Sequence, residues 1–248
     1  MGILSVADKL SVRPLNESLY VSPIDQDYFT LRFGLKGRDA RSFDAERVLV
    51  FPASNSPASY GIVTRDDSLV LNRLAKIFPN GRVLETIFDW TAKPYAVIFR
   101  SEGTPQISPQ KDVNARLDNA VELIGYDLGR DGNTVALSVY WRALADMRGD
   151  YSVFAHLLGA PNPGTQSPVW AQDDAQPGHG SYPTSRWRTG EMILDEYRLV
   201  IPSNAPPGNY QIEIGMYKLE TGARLRATDA NGVEMENDRV LLERLSIP

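Results

Sequence analysis

The chain has 248 residues, of which 42% are hydrophobic and 23% charged, a composition typical of ordinary globular proteins. Its net charge of -5 offers no basic surface that could displace counterions from phosphates, which argues against nucleic-acid binding. Cysteine is absent, so disulfides, thiolate metal sites and cysteine nucleophiles are excluded. No apolar run approaches the roughly 20 residues of a membrane-spanning helix. The opening segment, Met1–Asp8, is too short to be a signal peptide, so we expect any membrane segment to lie outside this chain.

The first half alternates predicted strands with predicted helices. The residues up to about Ser18 are expected to form a linker or a short helix. Apolar runs ended by turn residues predict the strands Ser18–Ser22, Arg47–Phe51, Tyr60–Thr64, Arg82–Phe88 and Tyr95–Arg100, the last two as an antiparallel pair. Helical spacing predicts helices over Asp25–Lys36 and Leu69–Phe78, the second capped at Asp67 and Ser68. Together these elements predict a small α/β domain over residues 1–105.

A polar segment with Pro and Gly, Ser101–Gln110, predicts a domain boundary. Beyond it helical periodicity disappears. The predicted strands there are Val121–Leu128, Thr134–Trp141, Tyr151–Leu158, Glu191–Ile201, Asn209–Leu219 and Val240–Ile247. In the second of them, Leu137, Val139 and Trp141 fall on one face, because side chains alternate along a strand. This punctuated series predicts an antiparallel, jelly-roll-like β-sandwich over residues 110–248, and therefore a two-domain α+β chain.

Ten short motifs of the second half form a recognisable succession. They are Ile124–Leu128, Val139–Arg142, Asp150–Leu158, Gln172–Pro177, Tyr182–Trp187, Gly190–Glu191, Asp195, Pro207–Tyr210, Gly215–Tyr217 and Thr221–Leu225. This succession resembles the C-terminal region of bacterial membrane glycosyltransferases similar to the dolichyl-phosphate-mannose protein mannosyltransferases, family 39. A weaker similarity covers Leu19–Ser22, Arg47–Pro52 and Phe78–Pro79 in the first half.

The resemblance implies a location and a partner. In that family a multi-helix membrane body transfers a sugar from a polyprenyl-phosphate donor, and extracytoplasmic domains follow the body. The catalytic acidic residues and the lipid-donor site of the family belong to loops of the membrane body, so none can be carried over to this chain. The resemblance therefore implies a non-catalytic accessory module on the extracytoplasmic face of the membrane, beside the membrane-embedded body of the same polypeptide and within reach of a glycan or acceptor.

The segment Tyr151–Trp187 concentrates the residues that could carry specificity, because polar and aromatic groups there fall in loops between strands. His156 is expected either to pack beside the core or to join Asp173 or Asp174 in a polar cluster. With His179 and Asp173 it could complete a transition-metal site, although the spacing matches no known signature. Asp173 and Asp174 could instead hold Ca²⁺ with loop carbonyls, while turn residues without an ion are the simpler interpretation.

Aromatic and basic residues of the same region allow two interpretations. The rings of Trp170, Tyr182, Trp187 and Tyr197 could form a platform that stacks on a sugar, or could anchor the loop to the core. The arginines beside Trp187, Arg186 and Arg188, are expected to pair with Asp173, Asp174 or Glu191, or to stack on a ring.

Three functions follow from these patterns. The first is the non-catalytic module without a resident cofactor, whose hypothetical ligand-binding residues are Trp170, Asp173, Asp174, His179, Tyr182, Arg186 and Trp187. The second is a saccharide hydrolase, which would use a metal at His156, Asp173 and His179 or a pair among the carboxylates Asp173, Asp174, Glu191 and Asp195. The third is a structural domain that packs on the membrane body, for which we expect a large exposed apolar patch.

Overall fold

The computed structural model describes residues 2–25, 27–53, 56–63 and 68–247. Its contacts divide the chain into two compact units, Met1–Ser108 and Pro109–Pro248. Strands predominate and α-helices are few, so the chain is a β-rich α+β protein, as the sequence predicts. Among the residues described, no helix has both the length and the apolar character required to cross a membrane.

The first unit is built on a mixed sheet. The strands of this unit are β1 (Ser18–Ser22), β2 (Ala40–Ser42), β3 (Val48–Phe51), β4 (Ala58–Val63), β5 (Arg82–Phe88) and β6 (Pro94–Ser101). Its helices are α1 (Ile3–Ser11), α2 (Phe29–Gly34) and α3 (Ser68–Ile77). All of the strands except β3 belong to the mixed sheet. The sheet order is β2-β1-β4-β6-β5. The pairs of β1 with β2 and β4 are parallel, whereas β6 is antiparallel to both β4 and β5. The predicted antiparallel pairing of β5 with β6 is thus confirmed.

Helix α1 packs directly on this sheet. A Cβ atom added at Gly61 of β4 would lie 2.6 Å from Cγ1 of Val6, so only glycine permits the helix to approach so closely. Val6 and Leu10 are fully buried in a core that includes Ile98 of β6. Burial of this apolar face supplies most of the stability of a short helix.

Some predictions for the first unit were imprecise. The helix expected over Asp25–Lys36 is limited to the six residues of α2, because the flanking residues form turns. Strand β2 was missed, since three residues are too few to show an alternating pattern. Asp67 of the predicted cap, and Thr64, predicted to end β4, lie outside what the structure describes, whereas Ser68 is the first residue of α3.

The second unit consists of two antiparallel sheets, a sandwich-like arrangement. Its strands are β7 (Lys111–Leu117), β8 (Val121–Asp131), β9 (Thr134–Ala143), β10 (Ser152–Leu158), β11 (Val169–Gln172), β12 (Met192–Val200), β13 (Gly208–Tyr217), β14 (Ala227–Thr228) and β15 (Val240–Ile247). One sheet contains β14, β7, β8, β9 and β12 as successive neighbours, and the other has the order β11-β10-β13-β15. Each strand pairing within these two sets is antiparallel.

Burial alternates along the central strands of the second unit. In β9 the side chains of Leu137, Val139 and Trp141 are buried, while those of Tyr140 and Arg142 are more exposed, which confirms the predicted faces. The apolar faces of the strands form the core of this unit. The polar faces and the connecting loops are therefore where a functional site has to be sought.

Candidate functional site

Strands β10 and β13 bring His156 and Glu213 together. The two residues are directly opposite each other in the antiparallel register, so their side chains project from the same face of the sheet. Nδ1 of His156 lies 2.9 Å from Oε1 of Glu213. This contact joins residues that are 57 positions apart in the sequence.

Asp174 reaches the other ring nitrogen of the same histidine. Strand β11 runs antiparallel beside β10, and the backbone N–H of Asp173 continues the ladder by donating to the carbonyl of Ala155 at 2.9 Å. This extension holds Asp174 over the imidazole, with Oδ1 2.9 Å from Nε2 of His156. The predicted cluster of His156 with one of the two aspartates is therefore present, with Asp174 as the partner.

Arg239 completes a four-residue set, His156, Asp174, Glu213 and Arg239, which we term the His156 network. Nη1 of Arg239 donates to Oε2 of Glu213 at 2.8 Å. Two carboxylates thus face a guanidinium and an imidazole, so the set is electrically balanced when the imidazole is protonated. Such balance is what permits charged groups to lie in a largely buried position.

The pKa values in the network reflect this arrangement. Burial of His156 disfavours its charged form, but the hydrogen bonds to Asp174 and Glu213 outweigh burial and raise the pKa of the imidazole from 6.5 to about 9. Burial likewise disfavours the Glu213 carboxylate, yet His156 and Arg239 hold the pKa of Glu213 below its usual value. At neutral pH His156 is an imidazolium that donates through both nitrogens, so it has no lone pair for a proton or a metal.

A metal site at His156, His179 and Asp173 is not assembled. Both nitrogens of His156 are occupied, and Nε2 of His179 lies 3.7 Å from Oδ2 of Asp173, which itself accepts the backbone N–H of Arg198 at 2.7 Å. Within the described residues, no group of three or more His, Cys, Asp or Glu side chains could hold a metal ion. Oδ2 of Asp173 and Oδ1 of Asp174 are engaged with protein donors, and Ca²⁺ binding at these two residues with loop carbonyls stays a prediction.

The loop that carries His179 is held by a buried carboxylate, Asp195. Oδ1 of Asp195 accepts the backbone N–H of Gly178 at 2.9 Å, and its Oδ2 accepts a short hydrogen bond from the hydroxyl of Tyr197. Gly178 and His179 adopt left-handed backbone conformations, with φ of 62° and 52°. The bonds from Asp195 secure the start of this loop where it passes over β12.

Burial dominates the electrostatics of Asp195. It raises the pKa of the carboxyl to about 7, although the hydrogen bonds from Tyr197 and Gly178 oppose the shift. Burial, reinforced by the neighbouring carboxylate, also raises the pKa of Tyr197 well above its usual value. Asp195 is fully buried, as Glu191 nearly is, so neither carboxylate is open to a saccharide, which the hydrolase interpretation would require.

The aromatic residues of the loop are anchors and not a surface platform. The side chains of Trp170, Tyr182, Trp187 and Tyr197 are 8%, 0%, 1% and 1% exposed. A stacking platform needs an open ring face, so the platform interpretation is wrong for these rings. Nε1 of Trp170 donates to the carbonyl of Ala160 at 2.7 Å, and that of Trp187 donates to the carbonyl of Tyr182 at 3.1 Å. Whether the loop binds a ligand by other groups stays a prediction.

Arg186 and Arg188 contribute to the hydrogen bonds of the loop through their backbone groups. The backbone N–H of Arg188 donates to Oε2 of Glu191 at 2.9 Å, and the carbonyl of Arg186 accepts the Tyr182 hydroxyl at 3.4 Å. That hydroxyl also donates to Oε2 of Glu191 at 2.9 Å. Pairing of either guanidinium with Asp173, Asp174 or Glu191, or its stacking on a ring, stays a prediction.

Glu213 and Arg239 were not predicted. A signal for Glu213 was available, because an acidic residue within the apolar strand Tyr210–Tyr217 needs a buried partner. Its partner was hidden, since the pairing of β10 with β13 follows from the sheet register and from no local pattern. Arg239 precedes β15 and carries no local signal.

Comparisons with known proteins identify no family. No protein-family model and no curated protein matches the chain. One solved structure, the endonuclease/exonuclease/phosphatase from Beutenbergia cavernae, is similar over 85% of this chain and 61% of that protein, at 13% identity and a TM-score of 0.22. The match spans about three fifths of the length of that protein, and a likeness at this score carries no argument about fold or function.

Proposed function

We propose that this chain is a non-catalytic accessory module of a membrane glycosyltransferase, located on the extracytoplasmic face of the membrane. In this proposal the first unit is a small α/β domain and the second a jelly-roll-like β-sandwich. The membrane-embedded glycosyltransferase body of the same polypeptide is the partner. Support comes from the succession of motifs in the second half and from the chemistry of the His156 network.

The observation that carries the non-catalytic part is that both ring nitrogens of His156 and both carboxylate oxygens of Glu213 are paired within the network. A general base needs a free lone pair near the reacting proton, whereas both nitrogens of His156 face carboxylates at 2.9 Å. A glycosidase needs two carboxyl groups that flank an open cleft, whereas Asp195 is fully buried beneath the loop. This chemistry suits a brace that fixes one loop and two strands.

A glycosyl-transfer assay tests the accessory role. The membrane enzyme is measured with and without this chain, and as the variant Glu213→Gln, which breaks the brace while leaving the membrane body unchanged. We expect transfer to fall when the chain is removed, and to fall partly in the variant. Undiminished transfer without the chain would contradict the proposal.

A second experiment addresses the competing hydrolase. The isolated 248-residue chain is incubated with a panel of saccharides, and products are followed by mass spectrometry. We expect no turnover, and a glycan array with the same protein shows whether it contacts the glycan or acceptor. Turnover that disappears in Asp173→Asn or His179→Asn, but persists in the exposed control Asp131→Asn, would favour the hydrolase.

A further inference from the structure

The loop that carries His179, Pro177–Gly180, covers a buried carboxyl group, and we term it the His179 loop. Pro177 and Gly178 are buried, and the backbone N–H of Gly178 donates to Oδ1 of Asp195 at 2.9 Å. The side chain of Asp195 is 0% exposed. This hydrogen bond therefore ties the cover to the group beneath it on β12.

Other backbone hydrogen bonds of the His179 loop are internal. The N–H of Gly180 donates to the carbonyl of Gln176 at 3.0 Å, and the N–H of Ser181 donates to the carbonyl of Gly178 at 3.1 Å. Bonds of this kind join residues that are close in sequence, so they move with the loop. The loop can thus lift from β12 as a unit when the bond to Asp195 is broken.

The chain is anchored on both sides of the His179 loop. On one side, Ala175 exchanges backbone hydrogen bonds with Val153 of β10, at 2.8 and 3.1 Å. On the other side, the fully buried Tyr182 donates its hydroxyl to Glu191 at 2.9 Å. Between them, Gly180 has a φ of 89°, and a Cβ atom added there would meet nothing within 4 Å. The loop therefore has fixed ends and a glycine at which it can turn.

Acidic groups surround Asp195. Burial raises the pKa of its carboxyl, and the charge of Glu196, the next residue on β12, adds to the shift. Burial also raises the pKa of Tyr197, which donates its hydroxyl to Asp195, and the charges of Asp195, Asp173 and Asp174 add to that shift. These neighbours offer an ionised Asp195 no charge compensation.

The two imidazoles of the chain are directed at other carboxylates. His179 lies on the loop itself, with Nε2 3.7 Å from Oδ2 of Asp173, and both nitrogens of His156 on β10 are paired in the His156 network. On β9, the residue opposite Asp195 is the uncharged Val139. In the part of the chain that the structure describes, Asp195 forms no ion pair, so its ionised form depends on hydrogen bonds alone.

Ionisation of Asp195 is costly while the loop is closed, because a buried carboxylate without a cation is disfavoured until water reaches it. Burial raises the pKa of this carboxyl to about 7, although the bonds from Tyr197 and Gly178 oppose the shift. Hydration in an open loop returns the pKa toward its ordinary value of 3.8. Between about pH 4 and 7 the carboxyl is therefore protonated under the closed loop and ionised when the loop is open, so opening becomes easier as the pH rises.

We propose that the His179 loop is a pH-sensitive cover, which closes over the protonated carboxyl group of Asp195 and opens when this group ionises. Strand β12 stays in its sheet while the loop turns at Gly180. Because His179 is one of the candidate ligand-binding residues, its position changes with pH. The inference goes beyond the accessory role and does not depend on it, since the isolated chain carries every group involved.

Hydrogen exchange of the Gly178 amide measures the opening. Exchange in the isolated chain is followed by NMR between about pH 4 and 8, and each rate is divided by the intrinsic rate at that pH to give a protection factor. We expect the protection of Gly178 to fall by up to about tenfold per pH unit between pH 4 and 7 and to level off above 7. Amides of the β8–β9 ladder should stay more strongly protected, because a local opening leaves the sheet paired.

Three variants assign the effect to Asp195. Asp195→Asn keeps an acceptor for Gly178 but cannot ionise, so the protection of Gly178 should not change with pH. Asp131→Asn removes an exposed carboxylate at the end of β8 and is the matched control, which should show the same fall as the wild type. Tyr197→Phe removes a donor to the ionised carboxylate, so the fall should extend to higher pH. Circular dichroism verifies that each variant folds.

Two results would overturn the proposal of a pH-sensitive cover. One is a protection of Gly178 that is constant with pH in the wild type, or that falls equally in Asp195→Asn. If Asp195→Asn does not fold, an unshifted fall in Tyr197→Phe has the same consequence. The other is equal protection of Gly178 and the β8–β9 ladder at every pH, which would assign the effect to global unfolding. Neither result bears on the transfer assay, so failure here and failure of the accessory role are distinguishable.

Discussion

His156 shows how one residue can be both polar and structural. Its ring bridges β13 through Glu213 and the segment after β11 through Asp174, at 2.9 Å on each side. A buried imidazolium is costly when unpaired, but the carboxylates of Glu213 and Asp174 compensate it, and Arg239 in turn compensates Glu213. The histidine thus fixes the position of a loop relative to two strands, a role that needs its charge and both of its nitrogens.

Replacement of His156 should remove part of the pH dependence of the free energy of unfolding. Because the pKa of His156 is raised from 6.5 to about 9 in the folded state, its stabilisation is complete below about pH 6.5 and disappears as the pH rises through 9. We expect His156→Gln to lower the free energy of unfolding at pH 6 by on the order of 2–3 kcal/mol and to flatten its change between pH 6.5 and 9. Urea denaturation at several pH values provides the measurement.

The control for this prediction is the other histidine of the chain. His179→Asn removes a more exposed ring that lies 3.7 Å from Asp173, and asparagine tolerates the left-handed backbone there. This variant should keep the pH dependence of the wild type. Equal pH profiles for wild type and His156→Gln would show that the network carries no charge-dependent stability.

The contribution of Asp195 to stability should change with pH in the direction opposite to that of most acidic residues. Burial raises its pKa from 3.8 to about 7, so the folded state favours the protonated acid and loses stability as the pH rises from about 4 to 7. Asp195→Asn keeps an acceptor for Gly178 without the charge. At pH 8 we expect the variant to have a free energy of unfolding higher than that of the wild type by on the order of 1–3 kcal/mol, measured by urea denaturation. At pH 4 its urea midpoint should be near that of the wild type. Asp131→Asn, at the exposed end of β8, should show no gain at pH 8.

At the residue scale, the sequence predicted which residues cluster with His156 better than it predicted how they are arranged. The clustering of His156 with an aspartate was predictable, because the strand that carries His156 and the two aspartates fall within the single segment Tyr151–Trp187. Glu213 was not, because sheet register decides which distant residue lies opposite His156. The burial of Trp170 and Trp187 was one of the two interpretations that the sequence left open, since the sequence of a loop does not reveal whether its rings point inward.

At the scale of elements, close packing between β10 and β13 depends on Gly215. A Cβ atom there would lie 2.5 Å from Cζ of Phe154 and 3.2 Å from the carbonyl of Asp238, so the ring and the following loop leave no space. We expect Gly215→Ala to cost about 1–3 kcal/mol of unfolding free energy by overpacking. Gly129→Ala in β8, where the nearest contact would be 3.9 Å, is the control and should cost less. A melting temperature of Gly215→Ala as high as that of Gly129→Ala would contradict this packing argument.

Strands were predictable where alternation or a continuous apolar run was strong. Strand β9 was predicted nearly in full because every second residue is buried. Strand β7 was missed, since only Ala115 and Leu117 of its seven residues are buried and Asn114 adopts a left-handed conformation that interrupts the pattern. Few buried positions and an irregular backbone therefore decide which strands a sequence conceals.

At the scale of the whole molecule, the aromatic residues divide into two groups with different tasks. The buried rings of the second unit fix a loop on a sheet, whereas the exposed rings of the first unit are held out by a tight turn and a short helix.

The stability of the complete chain should be highest in mildly acidic solution. Burial of Asp195 and the pairing of His156 both favour protonated forms, so stability declines from about pH 4 to 7 and again up to about 9. On the acidic side, hydrogen bonds from turn residues lower the pKa values of Asp89, Asp146 and Asp229. Their stabilisation is present above the unfolded pKa and is lost as the pH falls through the folded values.

The melting temperature of the wild type, measured by calorimetry between about pH 3 and 10, is therefore expected to peak near pH 5. The double variant His156→Gln, Asp195→Asn retains the three turn carboxylates but lacks the two groups whose pKa values are raised to about 9 and about 7. Its profile should fall with the wild type below about pH 4 and stay nearly level up to pH 9. A double variant that keeps the alkaline decline would place the responsible groups elsewhere in the chain. A wild-type maximum above pH 7 would contradict the assignment of protonated Asp195 to the folded state.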